Sequence, residues 1–159
     1  MNKFRIISLS AEQAEKIRIT GTDDFGLPVT EQIATGYGPC RVSLLPFRLG
    51  EDVRLLFKHN PFEVENTFAQ PGPVFIHKKE VAPYADVHRF PAEIKADKVN
   101  FPLSLIGYSD DQDMVFTKLV GDADVDEQIG EIFDRHPEVA YLHARHAEAS
   151  CYICRIERC

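Results

Sequence analysis

The sequence is short of several features that usually announce a function. Apolar stretches such as residues 55–57 and 140–142 fall far below the ~18 residues that a membrane-spanning helix needs, so no membrane partner is expected. The basic start Met1-Asn2-Lys3-Phe4-Arg5 is not followed by an apolar segment of ~7–15 residues or a small-residue cleavage site. A cytoplasmic location is therefore expected. Internal repeats, low-complexity tracts and long linkers are missing as well. So are a phosphate-cradling Walker loop and a G-x-S-x-G nucleophile elbow. Gly36-Tyr37-Gly38-Pro39-Cys40-Arg41 offers two glycines of a dinucleotide fingerprint but places Arg41 where the third is required.

What the chain does contain suits one domain spanning residues 1–159, because ~100–200 residues usually build a single core. Its 159 residues are 44% hydrophobic and 27% charged, which excludes disorder, collagen and coiled coil. The four cysteines, Cys40, Cys151, Cys154 and Cys159, are expected to be reduced thiols, since no export signal accompanies them. The net charge of −7 is concentrated: ten acids against Lys118 and Arg135 between Ser109 and Glu138 leave the remainder near neutral. A chain with that balance is repelled by phosphate backbones, so no nucleic-acid partner is expected.

Ten prolines and nine glycines divide the chain into short elements. Strands are predicted at residues 4–9, 40–45, 52–58, 74–77, 104–108, 114–120, 139–145 and 151–157. Ser10 with Gln13 forms a capping-box pattern that opens a helix closed by Gly21. A second helix starts at Asp122 or Asp124, carries Val125, Ile129, Ile132 and Phe133 on one face, and stops at His136-Pro137. About eight strands and two helices without regular alternation predict an α+β fold with a mainly antiparallel sheet.

Several side-chain sets could carry chemistry. His143, His146, Cys151 and Cys154 have the types a tetrahedral zinc accepts, which makes a zinc protein a minor alternative. However, Cys151 and Cys154 point to opposite faces of a regular strand, so only a bulge or turn would bring them together. No metal or other cofactor is therefore expected. The run Asp122-Ala123-Asp124-Val125-Asp126 imitates a calcium loop, but Glu127 and Phe133 replace its glycine and its bidentate glutamate. A bulge-free C-terminal hairpin would gather Tyr141, His143 and Arg145 with Cys151, Ile153 and Arg155 on one face, leaving Ala140, Leu142, Ala144, Tyr152, Cys154 and Ile156 as core. Two arginines, an imidazole and a thiol on one patch suit a small anionic ligand. His77 and Cys40-Arg41, at strand ends, could join it. His59, His88, His136 and His146 sit beside turns and are expected to face solvent.

Taken in order, Gly38-Pro39-Cys40-Arg41, Gly50-Glu51, Leu55-Leu56, Pro61-Phe62, Gly72-Pro73-Val74-Phe75-Ile76-His77, Ala82-Pro83-Tyr84, Gly107-Tyr108, Tyr141-Leu142-His143-Ala144-Arg145, Cys151-Tyr152 and Arg155-Ile156-Glu157-Arg158 resemble the bacterial domain of unknown function numbered 1203. The likeness is collinear from about residue 33 to 158. It implies no particular activity or cofactor, but its G-P-x-F-x-H and H-x-R landmarks place emphasis on His77, His143 and Arg145. Val81 stands where the resemblance leads one to expect a cysteine, and His146 and Cys154 stand where neither imidazole nor thiol is expected, which weakens zinc further.

The expectation is a protein that binds a small anionic ligand through Arg41, Arg145 and Arg155. His77 or His143 would exchange protons, Cys151 would be a candidate nucleophile, and catalysis is left open. The alternative is a non-catalytic interaction domain that docks a basic partner on the acidic 109–138 region.

Overall fold

The computed structural model describes residues 2–159 and is α+β. The elements run β1 (Phe4–Ile7), α1 (Ala11–Thr20), β2 (Thr30–Ile33), β3 (Val53–His59), β4 (Gly72–His77), α2 (Ala92–Ala96), β5 (Leu103–Tyr108), β6 (Met114–Leu119), α3 (Val125–Arg135), β7 (Tyr141–His146) and β8 (Tyr152–Arg158). Five strands form one sheet in the order β1-β8-β7-β5-β6, and three form a second in the order β2-β3-β4. Every strand pair is antiparallel. No helix of the described residues is long and apolar enough to cross a membrane.

Local chemistry sets both long helices. Ser10 Oγ accepts the Gln13 amide at 3.0 Å while Gln13 Oε1 accepts the Ser10 amide at 3.2 Å, which satisfies two otherwise orphaned donors and contributes about 1 kcal/mol. Gly21 ends α1 at φ 67°. Of the two aspartates that could open α3, Asp124 is the cap and accepts the Glu127 amide at 3.1 Å. Ile129, Ile132 and Phe133 bury the apolar face of α3 against Ile6, Leu105, Leu142 and Ile156 of the larger sheet. Ala14 and Ile17 of α1 pack with Leu55, Phe57, Val74 and Ile76 of the smaller one.

Two features depart from the sequence-based expectation. Residues 40–45 form no strand: Cys40 makes an isolated parallel bridge to Phe75, the chain then turns, and Leu44 adopts φ 56°. Cys40, Val42 and Leu44 alternate with Arg41 and Ser43 in the sequence, which imitates strand periodicity, but all five are buried. The missing partner of β3 is β2, a mostly exposed edge strand. The short α2, which has no side-chain cap, also escapes the pattern.

Candidate functional site

The segment between β2 and β3 folds back on itself, with the Gly50 amide donating to Ala34 O and the Ala34 amide to Asp52 O. Within it, the Arg41 amide donates to Phe75 O at 2.9 Å, which holds Cys40 and Arg41 against β4. The Arg41 side chain then crosses to the other sheet. Its Nε donates to Tyr152 O at 2.6 Å on β8 and a terminal nitrogen donates to Pro39 O. Arg54 of β3 donates to Gln32 Oε1 at 2.8 and 3.0 Å and to Gly36 O at 3.0 Å, and its guanidinium lies 3.8 Å from the Phe75 ring centroid.

Both arginines are buried, and among the described residues neither forms a salt bridge. Burial pulls the Arg41 guanidinium down to about 10 and lowers that of Arg54, so Arg41 stays charged at neutral pH. The two flank a cavity of about 440 Å³ between the sheets, walled by residues 35–39 on one side and by Asn100, His146 and Cys151 on the other. Among the described residues no aspartate or glutamate lines it. A buried cation without a counter-charge is costly, and here two converge on open space in a chain of net charge −7.

Gly38 shapes one wall. Its φ is 99°, and a Cβ added there would run into the Phe47 ring. Gly38→Ala is expected to cost roughly 2–5 kcal/mol, from an unfavourable backbone conformation plus overpacking, measured as a lowered urea midpoint with unchanged slope.

His143 lies elsewhere, on the face of β7 that also carries Tyr141 and Arg145. It is fully buried, and Phe62, Tyr108, Tyr141 and Tyr152 surround it at ring centroid distances of 4.8, 4.9, 5.5 and 5.0 Å. Among the described residues neither ring nitrogen has a hydrogen-bond partner, and the nearby Tyr108 hydroxyl and Arg145 Nε also lack one. Burial, with the Arg145 and Arg155 cations and His59 adding to it, pushes the imidazole down to about 3, so the ring is neutral at pH 7. Tyr152 joins this face because β7 and β8 shift register after Ala144. The bulge puts Tyr152 beside His143 and turns Ile153 into the core, the reverse of a regular hairpin. His59, expected to face solvent, is buried too. Its ring stands 5.7 Å from that of Tyr152, and burial holds it near 4.

The remaining expected ligand groups divide. Arg145 is buried and donates to Ser150 O at 2.8 Å. Arg155 is compensated: its Nε donates to Glu157 Oε1 at 2.9 Å, and its guanidinium lies 3.8 Å from the Tyr141 ring centroid. His77 ends β4 with Nε2 3.4 Å from Asp52 Oδ2. Thus Arg41 and Cys151 meet at the cavity with Arg54, His143 and Arg145 occupy the aromatic cluster, and His77 faces Asp52.

The bulge that a zinc site required is present, yet His143, His146, Cys151 and Cys154 do not converge. Cys154 is fully buried in the core of the larger sheet, and no three His, Cys, Asp or Glu side chains among the described residues cluster suitably. The acidic region is partly committed to the fold. Lys95 pairs with Asp124 and Asp126 at 2.5 and 2.6 Å, and Asp126 also accepts the Phe90 amide. These groups line a cavity of about 940 Å³, where Asp86, Glu93 and Asp122 outnumber Arg89 and Lys98 and the acidic balance disfavours an anion.

Sequence reasoning missed Arg54 and Asp52. An arginine inside the apolar run 53–57 was the available signal for the first, and only the folded chain brings the second to His77. No curated protein and no solved structure matches the chain. Across residues 37–158, which hold Arg41, Arg54, His77, His143, Arg145 and Cys151, the chain matches the family model described as protein of unknown function (DUF1203), and it belongs to that family.

Proposed function

We propose that this protein binds a small anionic ligand, a carboxylate or phosphate compound, in the cavity between its two sheets. The observation that carries this reading is the pair of buried arginines, Arg41 and Arg54, at a cavity that no carboxylate lines. Guanidinium groups present forked donors suited to such oxyanions. Burial strengthens the attraction by lowering the local dielectric. Arg41 is pre-positioned by its bonds to Tyr152 and Pro39, so little side-chain entropy is lost on binding. Cys151 is the one thiol in the lining and would stand beside the bound molecule. His143 plays no part as an acid, because its ring is neutral and enclosed.

A thermal-shift panel of inorganic phosphate, pyrophosphate, succinate and citrate against chloride at matched ionic strength tests this. At least one oxyanion is expected to raise Tm in a saturable manner. The same anion is expected to slow iodoacetamide alkylation of Cys151 severalfold while leaving the exposed Cys159 unaffected. A panel with no shift, or a shift that leaves Cys151 equally reactive, counts against the cavity.

A further inference from the structure

Cys151 stands just before β8, at the turn that closes the C-terminal hairpin, and its carbonyl accepts the His146 amide at 2.9 Å. The turn is held by His146, whose Nδ1 accepts the Glu148 and Ala149 amides at 3.1 and 3.0 Å. A ring nitrogen that accepts carries no proton, so the proton sits on Nε2 and is donated to Asn100 O at 3.0 Å. Both nitrogens are thereby occupied, and His146 supplies no base to the cavity that it and Cys151 line. The Cys151 thiol is partly exposed and donates only to Ala149 O, at 3.8 Å.

The chemistry beside that thiol comes instead from the arginines. Arg41 is 3% exposed, and the carbonyl that its Nε holds belongs to Tyr152, the residue next to Cys151. One terminal nitrogen is bonded to Pro39 O. Among the described residues the other terminal nitrogen has no partner, although the side chain lines the cavity. Arg54 lines the same space. A thiol is thus placed in a cavity of about 440 Å³ with two buried cations, in a chain whose net charge of −7 repels anions from an ordinary surface thiol.

We infer, resting on the anion reading of this cavity, that Cys151 is a modification site for small anionic disulfides, which Arg41 and Arg54 draw in and hold against the thiol. The Cys151 thiolate attacks one sulfur of the reagent, and a new S–S bond to Cys151 forms as the original S–S bond breaks. The departing thiolate takes up a proton from water, replacing the one that Cys151 released. Cys151 is oxidised and the departing half of the reagent is reduced. The half that stays carries its carboxylate into the space between the arginines, where a free oxyanion would bind. Disulfide formation therefore switches the anion site off, and reduction by a free thiol restores it.

The test treats the reduced whole chain at pH 7 with three small disulfides of similar length: dithiodipropionate, which is anionic, hydroxyethyl disulfide, which is neutral, and cystamine, which is cationic. Adducts at each cysteine are followed by peptide mass, and each Cys151 rate is divided by the rate of the exposed Cys159 with the same reagent. The resulting ratio is expected to be at least about tenfold greater for dithiodipropionate than for cystamine, with the neutral reagent between. Arg41→Gln and Arg54→Gln should each remove most of that preference, and the modified native chain should lose the oxyanion-induced rise in Tm. Equal ratios for the three reagents overturn the proposal, as does a preference that survives in both folded variants or an undiminished oxyanion shift after modification. A variant that unfolds is recognised because the buried Cys154 is then modified, and the comparison within the native chain decides. A native chain whose Tm rises with an oxyanion while Cys151 shows no charge preference loses this modification site and keeps the anion site, and one that shows neither loses both.

Discussion

Lowering the pH from 7 to 5 is expected to cost the fold about 4 kcal/mol through His143 and His59 together, roughly half of it through His143. Burial chiefly holds both neutral: at His143, near 3, the Arg145 and Arg155 cations add to it, and at His59, near 4, burial prevails over the opposing pull of Asp24, with Arg41 aiding it. Folded pKa values below the ordinary histidine value near 6.5 mean that the unfolded chain takes up protons first as pH falls. Stability is therefore full above about pH 6.5 and falls by about 1.4 kcal/mol per pH unit per histidine below it, until the folded values are reached. His77 has the opposite sign. Its raised pKa contributes stability below its unfolded value that is lost as pH rises through the folded one, so it offsets part of the acid loss. Urea unfolding of the native chain and of His143→Phe at the two pH values checks this. The variant should lose about 2 kcal/mol less than the parent, and identical pH dependence in the two proteins would show that His143 does not titrate as its surroundings require.

The second large effect is expected at Arg41. Arg41→Gln should abolish the anion-induced rise in Tm, which for a parent protein at a hundredfold excess over Kd corresponds to about 2.7 kcal/mol. Arg41→Lys should not restore it, because an ammonium cannot supply the fork that reaches Tyr152 O, Pro39 O and the cavity together. Both variants also leave buried carbonyls without their donors, at about 1–3 kcal/mol, so their starting Tm should be lower than the parent's. A ligand shift of full size in Arg41→Gln would remove Arg41 from the site.

The parts of the fold set by local chemistry were legible in the sequence. Ser10, Gln13 and Gly21 delimit α1, and Asp124 with the apolar positions of α3 defines the other long helix. The C-terminal hairpin and the β5–β6 hairpin also follow from their turns and patterns. Features decided by long-range packing were not legible. β2 is an edge strand with three of its four residues exposed and carries no apolar alternation. Residues 40–45 have that alternation without a strand, because Leu44 takes φ 56° to turn the chain. One extra residue between β7 and β8 exchanges the faces of Tyr152 and Ile153, and period-two logic carries no information about a bulge.

The candidate site divides in the same way. Arg41, His77, His143, Arg145 and Cys151 stand out by residue type and by position near strand ends, and all of them are buried or partly buried polar groups in the fold. Their grouping depends on how the smaller sheet and the segment before β3 lie against β8, which no local pattern encodes. Arg41 reaches a carbonyl 111 residues away. Arg54 comes to the same cavity from the start of β3. Asp52 was invisible as a partner for His77 because 25 residues and a strand pairing separate them.

The most direct measurement is calorimetric titration of the whole chain with the oxyanion that gives the largest thermal shift, at fixed ionic strength, alongside Arg41→Gln and Arg54→Gln. Saturable binding at one site per chain, weakened at least about a hundredfold in either variant, is the predicted result, because a buried guanidinium to oxyanion pair is worth about 3 kcal/mol or more when one partner is removed. Binding of equal affinity in all three proteins, or no binding to the native chain, would contradict the account.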